Sequence, residues 1–175
     1  MFDAIDVLKQ KLDQQRPLSP AIVKNLQEDL ILRWTYHSNA IEGNPLTLLE
    51  TKVVLEGITV GGKAWREHLE AINCINHRDV IYYVDDIIRK QAPFSEWQIR
   101  NIHQLILKNI DDENAGRYRQ QNALISGASI TPPDHTLLND KMAQFIDWYN
   151  YEANQLHPIE RAAKIHADFV GIHRI

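Results

Sequence analysis

Cysteine is almost absent: Cys74 is the single one in 175 residues. One thiol excludes an internal disulfide framework and any zinc cluster built from cysteine pairs. Long hydrophobic runs are missing too, and none approaches the roughly 18 residues that a membrane-spanning helix needs. Residues 1–13 alternate charge with apolar side chains and lack the uninterrupted apolar core of a signal peptide. Positive charge is not in excess, with 19 basic against 23 acidic residues and a net charge of −4. That balance argues against a dedicated nucleic-acid binder, which shows a basic face. It leaves nucleotide binding open, because a nest of backbone amides holds phosphate even on an acidic protein. No repeat, low-complexity stretch or interdomain linker is evident. The expectation is a cytoplasmic protein that engages neither membrane nor nucleic acid.

What is present reads as helix. Apolar residues make up 44% of the chain and charged residues 24%, an ordinary globular balance at a length of about one domain. Ile5, Leu8 and Leu12 recur at helical spacing before Pro17 and Pro20 interrupt. Ser19 then offers an N-cap ahead of Pro20 at the first helical position. The helix so started carries Ile22, Leu26, Leu30, Trp34 and Ile41, and it ends at Gly43-Asn44-Pro45. Gly43 can take the left-handed cap, and Pro45 cannot continue a helix. Thr47 caps a short helix that closes at Gly57. A long helix is expected over 64–90, with Leu69, Ile72, Ile75, Val80, Tyr83, Val84, Ile87 and Ile88 as its stripe. Ser95 with Gln98 three residues on reads as a capping box. The helix behind it is expected to bury Ile99, Ile102, Leu105 and Ile106.

Between Gly116 and Pro133 the helical period disappears. Ala123-Leu124-Ile125 and Ser129-Ile130-Thr131 flank Ser126-Gly127-Ala128, a pattern for one two-stranded hairpin. Two further helices follow, over 136–153 and from Pro158 onward. The last has Ile159, Ala162, Ala163, His166, Phe169, Val170 and His173 along one face. The two histidines, seven apart, lie on the same side. As ordinary helix histidines they would be partly buried. A metal pair prefers i, i+4 spacing, and no HExxH pattern occurs, so no metal site is expected.

The run from Ala162 to His173 resembles the approach to the Fic signature, HPFxDGNGRxxR, and Ser38-Asn39-Ala40-Ile41-Glu42-Gly43-Asn44 resembles the inhibitory motif Ser/Thr-x-x-x-Glu-Gly/Asn of the same family. Gly116, Arg119, Gly127 and Pro132-Pro133 match the family's flap. Residues 57–63, with Arg66-Glu67-His68 and Glu70-Ala71-Ile72-Asn73, match a scaffolding stretch of members with an N-terminal inhibitory helix. The resemblance implies an all-α Fic-type domain with one small hairpin. It divides the chain into an N-terminal helical region, 1–60, and a Fic core, 61–175.

It also implies AMP transfer from ATP, with Mg²⁺, onto Ser, Thr or Tyr hydroxyls of a protein target. His173 would be the general base, a role that suits a side chain titrating near neutrality. Glu42 would be the inhibitory carboxylate, supported by Ser38. Asn122, Ala123, Leu124, Ile125, Ser126 and Gly127 would form the flap whose edge pairs with the target's main chain. The signature proline and phenylalanine are replaced by Arg174 and Ile175, where the chain ends. This polypeptide is therefore expected to be inactive by itself, or to be a non-catalytic interaction module. The nucleotide-binding residues, the target and the oligomeric state stay open.

Overall fold

The structure is a computed structural model that describes residues 1–58, 65–123 and 132–172, with only the main chain at 65–68. All regular structure among the described residues is helical, in the order α1 (Asp3–Asp13), α2 (Pro20–Ile41), α3 (Leu48–Leu55), α4 (Trp65–Arg89), α5 (Glu96–Leu107), α6 (Leu138–Tyr151) and α7 (Pro158–Ile172). Short 3₁₀ turns at His135–Leu137 and Ala153–Gln155 precede and follow α6. No helix among these residues is long and apolar enough to cross a membrane. The expected hairpin over 122–131 falls almost wholly outside the described residues, as does most of the scaffolding stretch at 57–63. The chain divides into two compact units, Met1–Cys74 and Ile75–Ile175.

Local chemistry sets the helix ends in the first unit. The Ser19 hydroxyl accepts from the Ile22 amide at 3.4 Å, with Pro20 at the first helical position. Thr47 and Glu50 form a reciprocal capping box: each backbone amide donates to the other's side chain, at 2.9 and 3.2 Å. Such caps are worth about 1 kcal/mol each. α2 packs on α3. The buried set is Ile31, Thr35, Leu46, Thr51, Val54, Glu70 and Cys74.

One feature of α2 departs from its sequence pattern. Ile22, Leu26, Leu30 and Trp34 are about half exposed and Ile41 is 82% exposed, while the face turned inward carries Ile31 and Thr35. α1 likewise buries none of its residues.

The second unit is built around α6. Ile99 of α5 and Met142 and Phe145 of α6 form its buried cluster, against which Phe94, Tyr118, Trp148, Ile165, Phe169 and Ile172 pack. Phe145 holds Phe94, Trp148 and Phe169 at ring separations of 6.4, 6.4 and 6.1 Å, within the range of favourable aromatic pairing. Asn76 of α4 donates to the carbonyls of Ile106 and Lys108 at 2.9 and 2.7 Å, which satisfies the otherwise orphaned end of α5.

Three expectations need correction here. The Ser95 hydroxyl donates to the Gln98 side-chain oxygen and makes no bond to the helix backbone, so the reciprocal box at α5 does not form. Ile106 is exposed, and α5 instead buries Gln98 beside Ile99. On α7 the inward stripe is Ile165, Phe169 and Ile172, whereas Ile159, Ala162, Ala163 and His166 face solvent. Large aromatic and branched side chains bury more apolar area than alanines do, and they decide which face turns in.

Candidate functional site

The first candidate element is the end of α2. Glu42 is its C-cap residue, and Gly43 follows at φ +87°. The Gly43 amide donates to Ala40 O at 3.1 Å and the Asn44 amide to Asn39 O at 3.0 Å. These two bonds define a Schellman turn, which satisfies the last carbonyls of the helix. A Cβ on Gly43 would meet nothing within 4 Å, so glycine is needed there for its backbone angle rather than for space. Ser38, one turn earlier, is half-buried, and Glu42 is exposed.

The Asn44 side chain was not singled out by the sequence, and it uses both of its polar ends. Its Oδ1 accepts from the Leu46 amide at 3.0 Å, spanning Pro45. Its Nδ2 donates to the Glu70 carbonyl at 3.1 Å and lies 3.7 Å from the Cys74 thiol, both on α4. Cys74 is fully buried. Burial pushes its thiol up from 9.0 to about 11, opposed by hydrogen bonds from Thr51 and Asn44.

The second element is the base of the expected flap. Arg119 donates to the Pro133 carbonyl. Asn122 Nδ2 donates to Asp134 Oδ2 at 2.8 Å, and Asn122 Oδ1 accepts from the His135 amide at 2.8 Å. Asp134 also accepts from the amide and hydroxyl of Thr136, at 2.9 and 2.7 Å. The bond from Asn122, then those from Thr136, hold its carboxyl well below the usual carboxylate range. The two strands of chain at 119–122 and 133–135 are thereby tied together. Of the flap residues, Asn122 and Ala123 are described, and Leu124, Ile125, Ser126 and Gly127 lie outside the described residues.

Upstream of that base, the Gly116 amide donates to His103 Nδ1 at 3.0 Å. A Cβ at Gly116 would stand 3.2 Å from the Arg100 carbonyl and 3.3 Å from Gln104 Cβ. Here glycine serves close approach as well as its φ of +72°.

The third element is α7, described as far as Ile172; His173 lies outside the described residues. Its start is fixed by Pro158 and by the Ile159 amide, which donates to His157 Nδ1 at 3.3 Å. Arg161 donates to Asn154 Oδ1 at 2.7 Å, and Lys164 sits 4.8 Å over the Trp148 ring. Together with the inward stripe, these contacts fix the axis along which the helix reaches residue 172. His166 is exposed on it, contrary to the partly buried placement expected of an ordinary helix histidine.

The fold is shared with known proteins. A model of the Fic/DOC family matches residues 93–174. Over 99% of its length the chain is 34% identical to a protein adenylyltransferase Fic of Nematostella vectensis, of which it spans 40%. It is 31% identical to protein adenylyltransferase fic-1 of Caenorhabditis elegans over 89% of its length, spanning 30% of that protein. Among solved structures it resembles a Fic domain containing signaling protein from Bacteroides thetaiotaomicron, with a TM-score of 0.85 and 28% identity over 97% of this chain and 65% of that one. It also resembles Fic-1 from C. elegans, with a TM-score of 0.79 and 26% identity over 97% of this chain and 49% of that one. The chain thus spans less than half the length of these curated relatives.

Proposed function

The chain belongs to the Fic/DOC family, and from that premise we propose that it acts in protein adenylylation. In this reading a Ser, Thr or Tyr hydroxyl of a target protein attacks the α-phosphorus of ATP. A new P–O bond forms, the bond to pyrophosphate breaks, and the hydroxyl proton passes to the imidazole of His173. A histidine is suited to that transfer because its pKa lies near the working pH. The target is held by main-chain pairing with the flap at 122–127. Glu42, with Ser38 beneath it, restrains the reaction. The N-terminal helical region, 1–60, is the inhibitory part and 61–175 the Fic core.

The observation that carries the reading is the order of three elements along one chain. They are a helix ending in a Schellman turn at Glu42, a segment closed at its base by Asn122 and Asp134, and an amphipathic helix running toward His173. The relatives named protein adenylyltransferase Fic align over nearly the whole of this length. Mg²⁺ belongs to the family's chemistry as the ion that neutralises phosphate charge. Among the described residues no group of three His, Cys, Asp or Glu side chains is arranged to hold a metal ion, and Mg²⁺ commonly needs only one or two carboxylates beside the phosphates of its nucleotide. A cytoplasmic setting is part of the same proposal, in keeping with a lone, buried thiol.

The test is incorporation of labelled AMP from ATP into protein, by a chain in which the signature continues past Ile175. Labelling is expected, Glu42→Gly should raise it, and His173→Ala should abolish it. Labelling that survives His173→Ala would overturn the assignment of the base. Capture of a protein target with no labelling under any condition would favour an interaction module instead.

A further inference from the structure

The carboxylate of Glu42 is exposed. Its position is therefore inherited from the backbone that carries it. That backbone is a turn, and a turn at a helix end frays easily unless something beyond the helix holds it. What holds this one is the residue after Gly43. Asn44 closes the Schellman turn with its main-chain amide, bonded to Asn39 O at 3.0 Å. Its side chain then reaches 26 residues ahead to the Glu70 carbonyl and 30 ahead to the Cys74 sulfur. Residues 70 and 74 are one turn apart on α4, so the amide grips the helix at two successive levels.

The exit from the turn is fixed as well. Pro45 has no N–H to offer, and the next amide, that of Leu46, is taken by Asn44 Oδ1. Leu46 itself is buried. One side chain thus binds the turn to its own exit and to a second helix of the same unit. Only an amide does both. An aspartate keeps the acceptor for Leu46 but has no N–H for α4, and a serine lacks the reach.

We propose that Asn44 is a positioning residue for Glu42: its clamp onto α4 holds the turn in the one orientation from which the carboxylate restrains the reaction. The inference rests on the inhibitory role proposed for Glu42 above. It makes no claim that Asn44 touches nucleotide or target.

Two measurements test it. The first reads the turn alone, by amide hydrogen exchange on this chain with and without Asn44→Asp. The Gly43 and Asn44 amides should exchange about tenfold faster in the variant, the expected effect of losing one hydrogen bond's worth of protection. The amides of Ile31 and Thr35 in the middle of α2 should not change. Equal exchange at 43 and 44 in both proteins would overturn the clamp whatever the activity does, and uniform acceleration along α2 would mark Asn44 as merely structural.

The second reads function, with labelled AMP transfer by chains in which the signature continues past Ile175. Asn44→Asp should raise basal transfer several-fold toward the level of Glu42→Gly. The double variant should match Glu42→Gly alone, because a residue that works through Glu42 has nothing left to position. Activation by Glu42→Gly without activation by Asn44→Asp would sink the inference and leave the inhibitory reading standing. No activation by Glu42→Gly would remove the inhibitory reading itself, and the positioning role with it.

Discussion

Asn122 and Asp134, twelve positions apart, are joined side chain to side chain at 2.8 Å. The pairing lowers the carboxyl of Asp134 chiefly through the Asn122 amide, with Thr136 adding its amide and hydroxyl. A carboxylate depressed in the folded state contributes stability above its unfolded pKa, near 3.9, and loses it as pH falls through the folded value. In an NMR titration the Asp134 carboxyl should therefore have its midpoint well below the ordinary range. Asn122→Ala should move that midpoint upward. A midpoint already at the ordinary value would show that the base is not tied in solution.

Cys74 gives the opposite sign. Its thiol is raised from 9.0 to about 11 by burial, so the folded protein keeps a proton that the unfolded chain gives up. The stability this represents is whole below about pH 9 and is lost as pH rises toward 11. Native protein at pH 8 should resist iodoacetamide and react promptly once unfolded in denaturant. Alkylation at the same rate in both states would contradict the burial.

Two glycines should answer an alanine substitution differently. Gly43 sits at φ +87°, and an L side chain there costs about 1–2 kcal/mol even in open space. Gly171 is helical and has nothing within 4 Å of a built Cβ. Alanine there should be neutral or stabilising, by up to about 1 kcal/mol. Urea unfolding midpoints of the two variants check both signs at once.

Phe145 is 5% exposed and stands among Phe94, Trp148 and Phe169. Truncation to alanine should cost about 3–5 kcal/mol, from lost burial and the cavity left behind. Chemical denaturation followed by tryptophan emission, to which Trp148 contributes, would measure it. A loss under 1 kcal/mol would mean that the aromatic cluster is not the core of its unit.

The ends of the helices were legible in the sequence, and their faces much less so. Ser19, Thr47 and Gly43 announce caps because capping is chemistry among residues three or four apart. The choice of face is a tertiary matter. α7 offers one stripe through Ala162, Ala163 and His166 and another through Ile165, Phe169 and Ile172. Periodicity admits both, and the cluster around Phe145 selects the second. α2, in the other unit, turns Ile31 and Thr35 inward and leaves Trp34 half exposed, a choice its periodicity does not make. At the candidate site, the residues of the Glu42 turn were readable as a motif. The grip of Asn44 on Glu70 and Cys74 was not, since nothing local signals a bond spanning 26 or 30 positions. Asn122 reads from the sequence as part of a flap edge, and nothing local marks Asp134, which follows two prolines, as its partner.

The tie between 119–122 and 133–135 has a bearing on how such a protein can change. Once the two ends of a segment are held by their own side chains, its length becomes nearly independent of the rest of the molecule. Each doubling of a closed loop costs only about 0.6 kcal/mol. Residues between the ties can then be exchanged or added while the aromatic packing around Phe145 stays as it is. The arrangement works as a socket, in which segments of different length and sequence can be fitted without redesigning the helices behind it.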